Sequence, residues 1–306
     1  MSSKSMSIIN GAQNLETKEK KLLKPKNDLV FQSLFSKENV NITKDFAECL
    51  LERKINKIKI NDNKEISRQN PDDKLGILDL QLDIDDNEKV DVEVQLIDKH
   101  NFIERLIYYL SRMYSSTVKI GQEYETAKRV VLIAILDYNL EITKFTEEMQ
   151  TQWMLRETKN HQKVLTNKIE VDIIELSKVK KEYEKNKNNK KAQWMLFLDD
   201  PNSKEVQEIM KENKKIEEAV VTVHKMSEDE KIRRLAYLRE KAIRDEKAIY
   251  AAGIDKGIAR GKVEGAAETK VSIVLKLSEM NMQIEQIAEA TNLSVEKVNS
   301  IIDENK

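Results

Sequence analysis

The chain has 306 residues, 35% of them charged, and 53 Lys and Arg stand against 54 Asp and Glu for a net charge of −1. That near-neutrality excludes nucleic-acid binding through a global positive field and leaves only local patches for it. A single cysteine, Cys49, excludes a disulfide framework and the zinc-finger spacings, and His100, His161 and His224 are too far apart for a local His-x-x-x-His zinc motif.

Residues 1–20 are polar and read as a disordered leader. Neither the start, Met1-Ser2-Ser3-Lys4-Ser5-Met6, nor any later stretch has the apolar run of a signal peptide or a membrane span, so a soluble, cytoplasmic protein is expected. Lys18 to Lys26 is basic and reads as a solvated segment, with phosphate contact as the alternative. Asp28 to Phe35 and Phe46 to Leu51 read as helices, the first with Phe31, Leu34 and Phe35 on one stripe. Cys49 fits a small buried residue of the second helix rather than a nucleophile. Ile55 to Ile60 suits a first strand, followed by a polar loop through Pro71.

A hairpin is expected over about 75–97. Leu78, Leu80, Leu82 and Ile84 share one parity, and Val90, Val92, Val94 and Leu96 share one on the next segment. Period-two alternation of this kind marks strands with one buried face. Asp79, Glu93 and Gln95 then point to the opposite face, a seat suited to a hard divalent cation. A one-residue slip would turn the acid into the apolar layer, so the spacing predicts a loop of three or five residues rather than a two-residue turn.

A helix is expected from about His100 to Ile120, with Phe102, Leu106, Tyr109, Leu110 and Met113 on one face, and Tyr108 is expected to pack in the core. The run 130–136 reads as a central strand, so strand, helix and strand imply a parallel crossover. Gln152 to Thr158 and Lys168 to Leu176 can be strands. Lys178 to Lys191, with seven lysines against Glu182 and Glu184, reads as a flexible solvent-facing segment, with contact to a DNA backbone as the alternative. Trp194, Leu196 and Phe197 are expected to dock a helix on the domain.

Pro201 marks a boundary. Residues 203–270 are helical and highly charged, and Gly253, Gly257, Gly261 and Gly265 recur every four residues, as a hinge or as a close helix–helix seam. From Val271 the pattern is that of a small module with a left-handed turn at Asn281 and an N-cap at Ser294. The chain thus divides into a leader (1–20), an α/β domain (21–200), a charged helical connector (201–270) and a helix-turn-helix-like module (271–306). Residues 281–306 carry five acids against Lys297 and Lys306, a balance that suits protein contact or assembly better than phosphate.

The ordered set Lys26-Asn27-Asp28-Leu29-Val30-Phe31-Gln32-Ser33-Leu34-Phe35, Leu78-Asp79, Val92-Glu93-Val94-Gln95, Phe102 to Tyr109 with Arg105, Gly121-Gln122-Glu123-Tyr124 and the strand 130–136 resembles the recombination-promoting nuclease/transposase family of the PD-(D/E)XK nuclease superfamily. The resemblance runs from about Lys24 to Asp200, with an echo at the C-terminus. It implies a mixed central sheet flanked by helices and a divalent-metal-dependent DNA endonuclease tied to recombination or transposition-like mobility.

By that resemblance Asp79, Glu93 and the Val94 carbonyl are expected to hold Mg²⁺ or Mn²⁺. Asp28 is the candidate acid from the first helix, with Glu38 and Glu48 behind it. Gln95 stands where the superfamily most often has lysine, and an amide orients a water without supplying charge. That task is then left to the metal or to Lys74. Arg105 and Tyr109 are candidates to steady substrate or carboxylates. DNA is the expected partner, and paired cuts on a duplex would suit a homodimer. A nuclease effector acting in defence and a non-catalytic DNA-binding or scaffolding protein are the alternatives.

Overall fold

The alternating segments pair as their periodicity requires. The computed structural model describes residues 21–61, 80–98 and 101–305. Helices α1 (Asp28–Leu34) and α2 (Val40–Leu51) come first, followed by strands β1 (Ile58–Asn61), β2 (Leu80–Ile84) and β3 (Glu88–Gln95). Helix α3 (Phe102–Ser115) leads to β4 (Arg129–Leu136), β5 (Gln150–Met154) and β6 (Ile169–Glu175). The strands form one sheet in the order β1-β2-β3-β4-β6-β5. β3, β4 and β6 are parallel, and the other pairs are antiparallel.

The hairpin loop is Asp85–Asn87, three residues, and Leu80 pairs with Val92. Asp85 and Asp86 adopt φ of 48° and 61°, a left-handed conformation that short polar side chains tolerate. The Asp85 carboxylate fixes the turn by accepting from the backbone N–H groups of Asn56 and Lys57 at 3.1 and 2.7 Å. An odd loop keeps parity across the hairpin. Leu80, Leu82, Ile84, Val90, Val92 and Val94 therefore share one face with Val131, Ile133 and Ile135. Asp91, Glu93 and Gln95 pair with Leu132, Ala134 and Leu136 on the other.

Each face has its own core. On the first, α1 and α2 bring Phe31, Phe35 and Phe46; Phe35 and Phe46 stack at 4.2 Å. On the second lies α3, whose Phe102, Leu106, Leu110 and Met113 recur at helical spacing and cover Leu132, Ala134 and Ile173. Tyr108 lies half-buried with its ring edge-on to Tyr109 at 5.8 Å, outside this stripe.

The segment Lys178 to Lys191 is largely helical rather than irregular, although Lys180, Lys181, Lys185, Lys187 and Lys190 face solvent as expected. It forms α4 (Leu176–Lys185) and the start of α5 (Lys190–Asp199). Leu176, Val179 and Tyr183 fall on one helical stripe that enters the first core. Lys191 is itself only 4% exposed and pairs with Glu52 at 3.0 Å. α5 docks through Trp194, Leu196 and Phe197 as expected, and the Trp194 indole donates to Asp45 at 3.0 Å. Lys26 ends the basic run in two ion pairs, with Asp137 and Asp199, each at 2.7 Å.

Helices α6 (Lys204–Glu212), α7 (Lys214–Glu228) and α8 (Glu230–Glu279) follow. Pro201 lies in the turn between α5 and α6, while the compact unit extends to Ile243. The reason is apolar: Val206, Ile209, Ile216, Ala219, Val223 and Ala236 all enter the first core. The second unit, Arg244–Lys306, holds the remainder of α8 with α9 (Ile284–Thr291) and α10 (Val295–Glu304). Val274, Ile287, Ala288, Val298 and Ile301 form its core. Asn281 and Asn292 take φ of 60° and 52°, and the Ser294 hydroxyl caps α10 by accepting from Lys297 N–H at 3.3 Å. All four spaced glycines lie within α8, which runs through them without a break.

Candidate functional site

The C-terminal end of β3 and the first turns of α3 build one polar cluster. Glu93 and Gln95 are two residues apart on a strand, so both face α3. Glu93 is 4% exposed. Gln95 Nε2 donates to Glu93 Oε1, and Gln95 Oε1 accepts from Arg105 Nη2 at 2.7 Å. Arg105 Nη2 stands 3.7 Å from Glu93 Oε1. A guanidinium only donates and a carboxylate only accepts, so the amide between them can stand in one orientation. Gln95 thus links an acid to a cation, and a lysine at this position would set a second cation against Arg105.

The guanidinium also lies over the Phe102 ring, 5.8 Å from its centroid, which fixes its approach from α3. Tyr109, one turn further along the helix, is half-buried. Burial first, and then the Glu93 charge, hold its hydroxyl above the ordinary tyrosine range.

Two neighbours escape a reading by motif. Asp91 is fully buried on the same face as Glu93; the run Asp91-x-Glu93-x-Gln95 carries the signal, since all three share parity. Tyr138 follows Asp137, whose N–H donates to the Gln95 carbonyl at 2.9 Å. Its ring meets Phe102 edge-on at 6.3 Å, and its hydroxyl is buried without a hydrogen-bond partner among the described residues. Burial first, then Asp98, raise the pKa of that hydroxyl.

The other sequence candidates are placed as follows. Asp79 and Lys74 lie outside the described residues. Val94 turns its side chain into the first core and offers only its backbone to the site. Asp28 sits on α1, a first-core helix, and pairs with Arg239 at 2.8 Å. Glu48 pairs with Lys54 at 2.7 Å. The structure therefore brings Glu93, Gln95, Arg105 and Tyr109 together, while Asp28 and Glu48 hold local ion pairs on the first-core side.

A second polar group lies on that first-core face. Arg129 bridges Glu88 at 3.1 Å and Glu170 at 2.6 Å, and Asp172 is 1% exposed beside them. Burial first, and then Glu170, push the Asp172 carboxyl up to about 7. Near it a groove of about 450 Å³ is lined by Cys49, Glu52, Lys190 and Lys191 among others. Its lining mixes both signs of charge and does not include Glu93.

For a divalent ion, the chemistry of the donor set is the test. Glu93 and the strand carbonyl beside it are oxygen donors, which hard cations prefer. Among the described residues no group of three or more His, Cys, Asp and Glu side chains could hold a metal. No helix among those residues is long and apolar enough to cross a membrane. A family model described as PD-(D/E)XK nuclease family transposase matches residues 25–253. No curated protein and no solved structure matches the chain.

Proposed function

The chain belongs to the PD-(D/E)XK nuclease family of transposases, and from that premise we propose that it is a divalent-metal-dependent DNA endonuclease associated with recombination or transposition-like mobility. The observation that carries the reading is the Glu93–Gln95–Arg105 network on the α3 face of the sheet. In this proposal the carboxylates of Asp79 and Glu93 and the Val94 carbonyl hold Mg²⁺ or Mn²⁺. Such an ion, when bound, activates water, neutralises the developing phosphorane charge and assists the leaving oxygen.

The chain's own residues complete the chemistry. Gln95 fixes the Glu93 carboxylate through its amide N–H and orients the attacking water. Arg105 supplies the positive charge that an amide at position 95 lacks, because Gln95 leaves the guanidinium pointing at the acid rather than repelling it. Lys74 is the second cation proposed for the scissile phosphate. Tyr109 flanks Glu93 from the helix and excludes water from that side. The acidic 281–306 stretch supports a protein-contact role for the C-terminal module, and paired cuts on a duplex would call for a homodimer. The protein is expected in the cytoplasm, where its DNA substrate lies.

Plasmid cleavage with Mg²⁺ tests the reading. Asp79→Ala and Glu93→Ala are expected to abolish cleavage with the thermal midpoint held. Full activity in either variant overturns the site. DNA binding without cleavage in any divalent ion would instead favour a non-catalytic DNA-binding protein.

A further inference from the structure

Beyond β5 the chain does not return at once to β6. Residues 155–168 form an exposed, irregular two-stranded ribbon held by a single bridge, Arg156 to Val164, with Leu165 N–H donating to the Leu155 carbonyl at 2.9 Å and Glu157 N–H to the Lys163 carbonyl at 3.0 Å. Core packing gives no reason for it. Leu165 is 79% exposed and Leu155 49%.

Its charge is one-sided. Residues 155–168 hold Arg156, Lys159, Lys163 and Lys168 against Glu157 alone, in a chain whose net charge is −1. The single acid, Glu157, is exposed, and its carboxylate accepts from the backbone N–H groups of Lys159 and Asn160 at the tip. Arg156 is held along the ribbon by donating to the His161 carbonyl at 2.8 Å. The side chains of Lys159 and Lys163 are left exposed to solvent. Three exposed cations, Arg156, Lys159 and Lys163, against one exposed carboxylate give the ribbon a net positive charge, while Lys168 is half-buried and donates to the Ala127 carbonyl.

We propose that this ribbon is a DNA-binding arm that sets Lys159 and Lys163 against the phosphates of duplex DNA, with Leu165 against the groove. The inference rests on the nuclease reading and adds to it the surface that holds the duplex. A two-stranded ribbon has the width that the major groove admits, and phosphate neutralisation is the interaction to which such a charge pattern is complementary. Register places the arm relative to the acid: Glu93, Ala134, Ile173 and Thr151 lie in one row across the sheet. The ribbon leaves β5 three residues further on, toward the N-terminal ends of β3, β4 and β6, so its base stands roughly 17 Å from Glu93 by strand rise and spacing, on the side away from Gln95. That is about five base-pair steps of B-form DNA.

The test is the double variant Lys159→Gln/Lys163→Gln in the full chain. Binding of a labelled duplex is followed by fluorescence anisotropy in Ca²⁺ across a salt series, and cleavage in Mg²⁺ beside it. Loss of two phosphate contacts is expected to weaken binding at low salt and to shrink the fall in affinity between 50 and 200 mM salt by about tenfold. Both lysines are exposed, so the thermal midpoint should hold. Unchanged affinity and salt dependence, with cleavage intact in both proteins and abolished by Glu93→Ala, would overturn the arm and leave the nuclease reading standing. Binding that depends on the two lysines without cleavage would support the arm and overturn the hydrolytic reading. A wild-type chain that neither binds nor cuts DNA would overturn both.

Discussion

Asp172→Asn is expected to stabilise the protein, increasingly so as pH rises. Asp172 is 1% exposed, and its Oδ1 has no hydrogen-bond partner among the described residues. Burial, reinforced by Glu170, moves its carboxyl from 3.8 up to about 7; Lys191, the Gln152 hydrogen bond and Arg129 counter only part of this. The folded state therefore binds the proton more tightly than the unfolded one. Below the unfolded value both states are protonated and nothing is lost. Between 3.8 and about 7 the unfolded chain ionises while the folded one does not, so stability falls with rising pH. Above that window the whole penalty stands. At about 1.4 kcal/mol per tenfold change in proton affinity, the displacement amounts to on the order of 4 kcal/mol, a ceiling because the charge is shared with Glu170. Guanidinium unfolding followed by the fluorescence of Trp153 and Trp194 at about pH 4, 6 and 8 measures it. The advantage of the amide variant should grow steadily across that range. A difference that stays constant with pH, or an amide variant less stable at every pH, would refute the reasoning.

Three further outcomes follow from particular contacts. Burial first, then Asp45, push the Cys49 thiol up to about 12, so it should resist alkylation by iodoacetamide at neutral pH until the protein is unfolded; rapid labelling of the native chain would contradict this. A Cβ at Gly261 would meet nothing within 4 Å, so Gly261→Ala should raise local helix stability by about 1 kcal/mol, read by hydrogen exchange; a loss would mean that another backbone approaches there. Tyr138→Phe removes a buried hydroxyl that makes no hydrogen bond among the described residues, so its unfolding free energy should hold or rise, by up to about 1 kcal/mol, and a clear drop would show the hydroxyl to be satisfied.

Much of the α/β core is legible from single residues. Alternation along 80–84 and 88–95 requires an odd loop, and three residues are found. The Phe102, Leu106, Leu110 and Met113 stripe requires a covered helix face, and Ser294 and Asn281 behave as cap and left-handed stop. The readings that failed were decided by partners distant in the chain. Seven lysines hide the Leu176, Val179 and Tyr183 stripe, and Lys191 is buried because Glu52 reaches it. The strand expected over Lys168 to Leu176 is found, but its alternation of acids with Val171 and Ile173 does not signal that β6 lies inside the sheet with Glu170 and Asp172 buried. At the site, Glu93 and Gln95 announce themselves by parity. The way Gln95 joins Glu93 to Arg105 depends on how the crossover helix lies over β3, which no local pattern encodes.

The most direct measurement is a crystal of the protein soaked in Mn²⁺ and recorded at wavelengths that bring out the anomalous signal of the ion. The proposal requires a peak about 2.1 Å from a carboxylate oxygen of Glu93, with an Asp79 oxygen in the same coordination sphere. A strong peak elsewhere on the molecule, or saturating Mn²⁺ with none at Glu93, would contradict the metal-dependent account.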